Sequence, residues 1–108
     1  MRSYTIPRSN AADIKFLGKL VASVNSSNGE KTRWTELFIY RTDSLKLVLV
    51  SIGKTTLEHE TDITTVEIVP AATAEIDDTG ISVIRFFGHG WLAKLLYADA
   101  GISDTETI

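Results

Sequence analysis

Apolar residues are most concentrated in the part of the chain between Arg33 and Lys54. Side chains alternate between the two faces of a strand, and over 34–40 both alternating sets are largely apolar. Residues 45–52 continue in the same way, in a run rich in leucine, valine and isoleucine. The polar residues 42–44 between the two runs favour a turn. The pattern predicts an antiparallel hairpin at the centre of a sheet, with at least one face covered by a helix.

The chain before this hairpin has two weaker strand patterns. Residues 1–9 predict a short edge strand, where Pro7 is tolerated because no ladder donor is lost. Residues 13–24 keep both a helical and a strand spacing of apolar residues, and Gly18 and the valines favour the strand. The polar run 25–32 then predicts the exposed tip of a hairpin.

The chain after the hairpin contains one clear strand pattern and one ambiguous segment. Residues 63–69 predict a strand that stops at Pro70, since proline cannot donate to a ladder. Residues 79–87 fit either a strand that follows a turn or a short helix. Gly88 favours the helix because glycine is a natural helix end.

A second helix is predicted over residues 90–100, ending at Gly101 in the left-handed conformation. We expect one apolar stripe to pack on the sheet, formed by Trp91, Leu92, Leu95 and Leu96. Two alternatives stay open for the tail after Gly101: a short strand through Ile102, or fraying over 103–108. The fold prediction is therefore α+β, an antiparallel sheet of about four strands built on the central hairpin 33–54, with one or two C-terminal helices packed on one face.

Length and composition limit the broad class of the protein. A chain of 108 residues fits one domain over 1–108, because that size buries roughly two-thirds of the unfolded surface. The absence of cysteine excludes disulfides and thiolate metal sites. No apolar run reaches the roughly 18 residues that span a bilayer, and the N-terminus lacks a secretion signal. We expect a cytoplasmic protein without a membrane partner.

Charge divides the chain into unlike halves. Residues 1–54 hold nine Lys or Arg against four carboxylates, a net charge of +5, whereas residues 55–108 hold two against ten, a net charge of −8. One interpretation is that these charges face water or one another across the fold. The other is that each set contacts a partner, an acidic one at Lys31, Arg33 and Arg41 and a basic one at Glu58, Glu60 and Asp62.

Two short segments carry candidate chemistry. Residues 58–62 concentrate metal-ligand atoms, but an extended chain points the three carboxylates away from His59, so a solvated acidic turn is favoured over a metal site. At 87–91, two glycines flank His89 where a helix starts, which makes His89 and Gly90 an anion or ligand candidate. The alternative is a simple corner between helices, since no phosphate-binding loop motif is present.

These observations favour a small non-catalytic module that binds another protein or itself, through a sheet edge or the helix surface around Trp91. No nucleophile elbow or other catalytic signature occurs, and no cofactor is expected. A second hypothesis is nucleic-acid binding by the basic N-terminal half, with Trp34, Phe38 and Tyr40 as stacking groups. A third is a small-molecule or enzymatic site at Phe87–Trp91. In composition the chain is similar to small accessory proteins of phages and plasmids, a likeness that assigns no residue a role.

Overall fold

A computed structural model describes residues 1–27, 32–70 and 83–102 of the chain. They form five strands and two short helices. The strands are β1 (Arg2–Ile6), β2 (Ile14–Asn25), β3 (Arg33–Thr42), β4 (Lys46–Thr55) and β5 (Ile63–Pro70). The helices are α1, described over 83–87, and α2 (Trp91–Ala100).

Each strand pairs antiparallel with the next, so the sheet order is β1-β2-β3-β4-β5. The α+β prediction with an antiparallel sheet and C-terminal helices is confirmed, and β3 and β4 form its central hairpin. The sheet has five strands rather than about four, because the segments before the hairpin both pair. Residues 14–25 are strand, as Gly18 and the valines favoured, and 83–87 are helix, as Gly88 favoured. The parts of the predictions that fall on 28–31, 71–82 and 103–108 lie outside the described residues.

The first core lies between the helices and one face of the sheet. Ile39 and Leu49 project from β3 and β4 and are 1% and 0% exposed. They share a buried cluster with Val83 of α1 and with Leu96 and Tyr97 of α2. The tyrosine hydroxyl donates a hydrogen bond of 2.6 Å to the carbonyl oxygen of Gly88, so its polar end is satisfied. We call this face of the sheet the helix side.

A second core lies on the opposite face, which the sheet buries by curling on itself. Val48 and Val50 of β4 are almost fully buried there, together with Ile6 of β1. Four aromatic rings from three strands pack on one another with centroids 4.8 to 6.0 Å apart: Tyr4, Phe16, Phe38 and Tyr40. The sequence predicted a covering helix for at least one face, and the second face is covered by the sheet itself.

Two close contacts accompany the curled shape of the sheet, one at Gly18 and one at Ser9. Gly18 pairs with Arg2 on one side and Thr42 on the other, and a Cβ there would collide with the backbone carbonyl of Arg41. The β1–β2 connection then reaches the last strand, where the Thr64 amide donates to the Ser9 hydroxyl at 2.8 Å. The first hairpin is thereby held across the second core.

The buried face of α2 differs from the predicted stripe. Leu92 and Leu96 are buried as expected, but the other core residues of the helix are Ala93 and Tyr97. Trp91 and Leu95 are 63% and 52% exposed. The prediction placed them in the core because α2 is apolar around most of its circumference, so spacing alone did not select the face. Gly101 ends the helix with φ 74°, as predicted.

Candidate functional site

Two of the residues predicted to contact different partners contact each other. Arg33 begins β3 and Glu60 lies in the β4–β5 turn, and the guanidinium donates from Nε to Oε1 at 2.9 Å and from Nη2 to Oε2 at 2.6 Å. Glu60 also accepts from the Thr55 hydroxyl at 2.9 Å. The pKa of Glu60 is lowered, first by the hydrogen bond from Arg33 and then by that from Thr55. The pair is a two-point interaction at an exposed position.

Asp62 has a similar environment in the same turn. Its Oδ1 accepts a hydrogen bond from the Thr55 amide at 2.9 Å, and its Oδ2 lies 3.1 Å from Nζ of Lys54. The backbone hydrogen bond is the larger cause of the lowered pKa of Asp62, followed by Lys54. Two of the three carboxylates of this turn therefore bind groups at the end of the sheet.

The remaining predicted contact residues are dispersed. Arg41 is exposed near the opposite end of β3 from Arg33, and Glu58 is exposed in the β4–β5 turn. Lys31 lies outside the described residues. Within the described part of the chain, no three His, Asp or Glu side chains are grouped closely enough to hold a metal ion. A role in partner binding for these charged residues stays a prediction.

His89 and Gly90 both lie at exposed positions where α2 begins. Gly90 is the N-cap of the helix, in an extended conformation and without a side-chain hydrogen bond to the cap. Its carbonyl accepts the Lys94 amide at 3.0 Å, which starts the helical ladder. An anion or ligand bound at this point also stays a prediction.

A shallow groove runs along the helix side where the helices leave the sheet uncovered. One part, about 390 Å³, lies between Trp91 and the β3 and β4 residues Thr35 and Ser51. A second part, about 520 Å³, continues to the Arg33–Glu60 pair, and both parts share Ser26 and Thr35. We call the two together the helix-side groove, and Trp91 stands at its edge.

The outer face of α2 is the most apolar exposed surface of the helix. Trp91 and Leu95 lie one turn apart on it, and Ala98 continues the row. Lys94 and Asp99 are exposed on opposite sides of this row, as their positions around the helix require. We call these five residues the α2 seam. The sequence analysis named only the surface around Trp91, although the 91, 95, 98 spacing was a usable signal.

The three aromatic residues proposed for base stacking are engaged in other contacts, and two of them lie inside the molecule. Phe38 and Tyr40 belong to the second core, and burial, followed by the effect of Tyr4, raises the pKa of the Tyr40 hydroxyl. Trp34 donates from its indole nitrogen to Glu36 at 2.8 Å. The basic residues of these strands are divided between the two faces: Lys54 is directly opposite Trp34, whereas Lys19 is directly opposite Arg41 on the helix side.

Comparison of the chain with protein-family models, with curated protein sequences and with solved structures gives no match. No helix among residues 1–27, 32–70 and 83–102 is long and apolar enough to cross a bilayer.

Proposed function

We propose that the protein is a non-catalytic interaction module whose α2 seam binds the same seam of a second copy. The supporting observation is the exposure of Trp91, 63%, and of Leu95, 52%, one helical turn apart. Large apolar side chains scattered singly on a surface are ordinary, but a contiguous pair beside a groove marks an interaction site. Tryptophan is also among the residues that contribute most to binding energy at interfaces.

The spacing of the α2 seam fits a helix that packs on a second helix. In a heptad written abcdefg, Trp91 and Ala98 take d positions and Leu95 takes the a position between them. Such a row faces a partner helix along its length. The small side chain of Ala98 lets the two helices approach closely at that end of the row.

The charges that flank the row favour a parallel, two-fold arrangement. Lys94 takes the g position and Asp99 the following e position. In a parallel pair of helices, g of one copy lies near the next e of the other, so two Lys94–Asp99 contacts form. An antiparallel pair would place Lys94 beside Lys94, which is unfavourable. The second copy of the chain therefore complements this surface in charge and brings the same apolar row against it.

The length of α2 limits the expected affinity. Ten helical residues span about 15 Å, and a stable interface commonly buries about 800 Å² on each partner. The seam supplies only part of that area, with the edge of the helix-side groove near Trp91 as the adjoining surface. We expect a dimer with a dissociation constant of about micromolar order.

Sedimentation equilibrium over a range of concentrations tests this proposal. Trp91→Ala and Leu95→Ala should each shift the protein to monomer while circular dichroism stays unchanged. Leu17→Ala is the matched control, because Leu17 is 51% exposed on β2 and lies outside the α2 seam. It should leave the association intact.

A charge exchange tests the arrangement of the helices. Lys94→Asp and Asp99→Lys should each weaken the dimer about tenfold, since each turns two attractions into repulsions. The double variant should recover most of the loss, because it restores opposite charges across the pair. A wild-type protein that is strictly monomeric at high micromolar concentration, or a double variant weaker than both single ones, would contradict the proposal.

A further inference from the structure

The outer edge of β5 offers a second surface, distinct from the α2 seam. One side of β5 pairs with β4, and on its other side Thr64 hydrogen-bonds with Ser9: the Thr64 amide donates to the hydroxyl at 2.8 Å, and its carbonyl accepts the Ser9 amide at 3.4 Å. The backbone groups of Thr64 therefore point away from β4. Since this direction alternates along an antiparallel strand, those of Val66 and Ile68 point outward as well.

This edge is protected only at its two ends within the described residues. Ser9 occupies the backbone groups of Thr64, and Pro70 has no N–H to offer a further strand. Between them, Val66 and Ile68 present two outward amides and carbonyls, and Ile68 is 47% exposed. Natural sheets usually block such an edge with lysines, bulges or a covering element. β5 carries no lysine or arginine.

The side chains along the edge have a definite chemistry. Val66 and Ile68 lie on the curled side, where Val66 packs against the second core. Glu67 lies between them on the helix side, opposite Leu49 of β4, and is exposed. It takes part in no ion pair among the described residues. An added strand would therefore meet apolar, acidic and apolar positions in turn.

A second copy of β5 fits this edge poorly. The two-fold pairing that joins Val66 to Ile68 of the other copy places Glu67 directly opposite Glu67, which is destabilising. Centring the pair on Val66 instead brings Ile68 against Thr64, whose groups Ser9 already binds. Centring it on Ile68 brings Val66 against Pro70, which lacks a donor. Each of these registers therefore either loses a backbone hydrogen bond or places two like charges opposite each other.

We infer that the edge of β5 at Val66–Ile68, which no described residue covers, binds an extended segment of another protein, which adds as a further strand. The segment carries a basic residue between two apolar residues. Its backbone pairs with Val66 and Ile68, its apolar side chains extend the second core, and its Lys or Arg lies against Glu67. This is recognition by strand addition, in which main-chain bonds give affinity and alternate side chains give specificity.

The probe is a capped peptide, acetyl-Gly-Thr-Val-Lys-Ile-Thr-Gly-amide, titrated into ¹⁵N-labelled protein and followed by amide chemical shifts. The Trp91→Ala background keeps self-association out of the measurement. We expect saturable shift changes centred on 64–69. A peptide with glutamate in place of lysine should bind at least tenfold more weakly.

Two variants locate the binding. Val66→Pro removes an outward N–H while leaving the β4–β5 ladder intact, so it should weaken binding at least tenfold without unfolding the domain. Glu67→Lys should reverse the preference, so that the glutamate peptide binds better than the lysine peptide. This second variant replaces an exposed side chain and tests the inference even if Val66→Pro does not fold.

The inference is overturned if the lysine peptide shifts no amides of β5 at millimolar concentration. It is equally overturned if Glu67→Lys leaves the order of the two peptides unchanged. Loss of dimerisation in the Trp91→Ala background bears on the α2 seam alone, so the two proposals fail independently.

Discussion

At the scale of single residues, the β4–β5 turn is fastened by charged groups that face solvent. Arg33 reaches Glu60 across 27 positions of sequence, and Thr55 supplies a hydroxyl to Glu60 and an amide to Asp62. Lys54 completes the second ion pair. Exposed ion pairs stabilise a fold only modestly, but several that share one turn fix its position relative to the sheet.

These pairs make stability depend on pH in the acid range. The folded-state pKa values of Glu60 and Asp62 are lowered, so the unfolded chain binds more protons and their contribution is lost as pH falls through the folded-state values. We expect urea stability to drop below about pH 4, where unperturbed carboxylates titrate. The drop should be smaller in the double variant Glu60→Gln with Asp62→Asn.

The control for this measurement is Glu58→Gln, which removes a carboxylate of the same turn and leaves both ion pairs in place. Its pH profile should follow that of the wild type. Added salt should reduce the difference between the double variant and the wild type, because these groups are exposed. If the wild type and the double variant lose the same amount of stability between neutral pH and the acid range, this role of the turn is contradicted.

The sequence identified these charged residues but not their pairing. Arg33 and Glu60 were each predicted to contact a partner, of acidic and of basic character, because each belongs to a half of the chain with that excess charge. Whether two such residues meet depends on the register of β3 with β4 and on the shape of the following turn. Neither is encoded in charge or periodicity.

At the scale of secondary structure, the bounds of α2 could be predicted from the sequence, but its buried face could not. Its bounds followed from apolar spacing and from Gly101, whose left-handed conformation closes the helix. Its buried face did not follow, since the helix has apolar residues on most sides. Tertiary contacts select the face: the Tyr97 hydroxyl donates a hydrogen bond to the carbonyl oxygen of Gly88, and Leu96 packs in the first core.

Two adjacent leucines test this orientation of α2. Leu96 is 0% exposed and Leu95 is 52% exposed. Leu96→Ala should lower the free energy of unfolding by about 2–5 kcal/mol, because it removes packed methyl groups and leaves a cavity. Leu95→Ala should change it by less than about 0.5 kcal/mol at concentrations where the protein is monomeric. Urea denaturation measures both, and equal losses would mean that the helix presents a different face to the sheet.

At the scale of the whole molecule, a single sheet contributes side chains to two cores, one on each face. The apolar character of both faces of the central hairpin predicted that the hairpin would be buried, and Ile39 and Val48 on opposite faces are 1% and 2% exposed. How the second face is covered could not be predicted, because the curl depends on long-range contacts such as Thr64 with Ser9. In the sequence, Gly18 indicates only that a helix is disfavoured, and its close approach to Arg41 has no sequence signal.

The close crossing at Gly18 gives the sharpest test of the curled sheet. Gly18→Ala places a methyl group against the carbonyl of Arg41 and close to Cα of Thr42, both in the backbone of β3, so β2 must move away from β3. We expect a loss of about 2 kcal/mol or more in the free energy of unfolding. Gly53→Ala is the matched control on β4, where the nearest atom to a new Cβ is a carbonyl oxygen 3.9 Å away.

Gly53→Ala should be neutral or stabilise the fold by up to about 1 kcal/mol, because it reduces the freedom of the unfolded chain without a clash. The difference between the two variants therefore reports on the crossing and not on glycine replacement in general. If Gly18→Ala is as stable as Gly53→Ala, the first hairpin does not pass so close to β3. The second core, which depends on that approach to enclose Tyr4, Phe16 and Tyr40, would then be open.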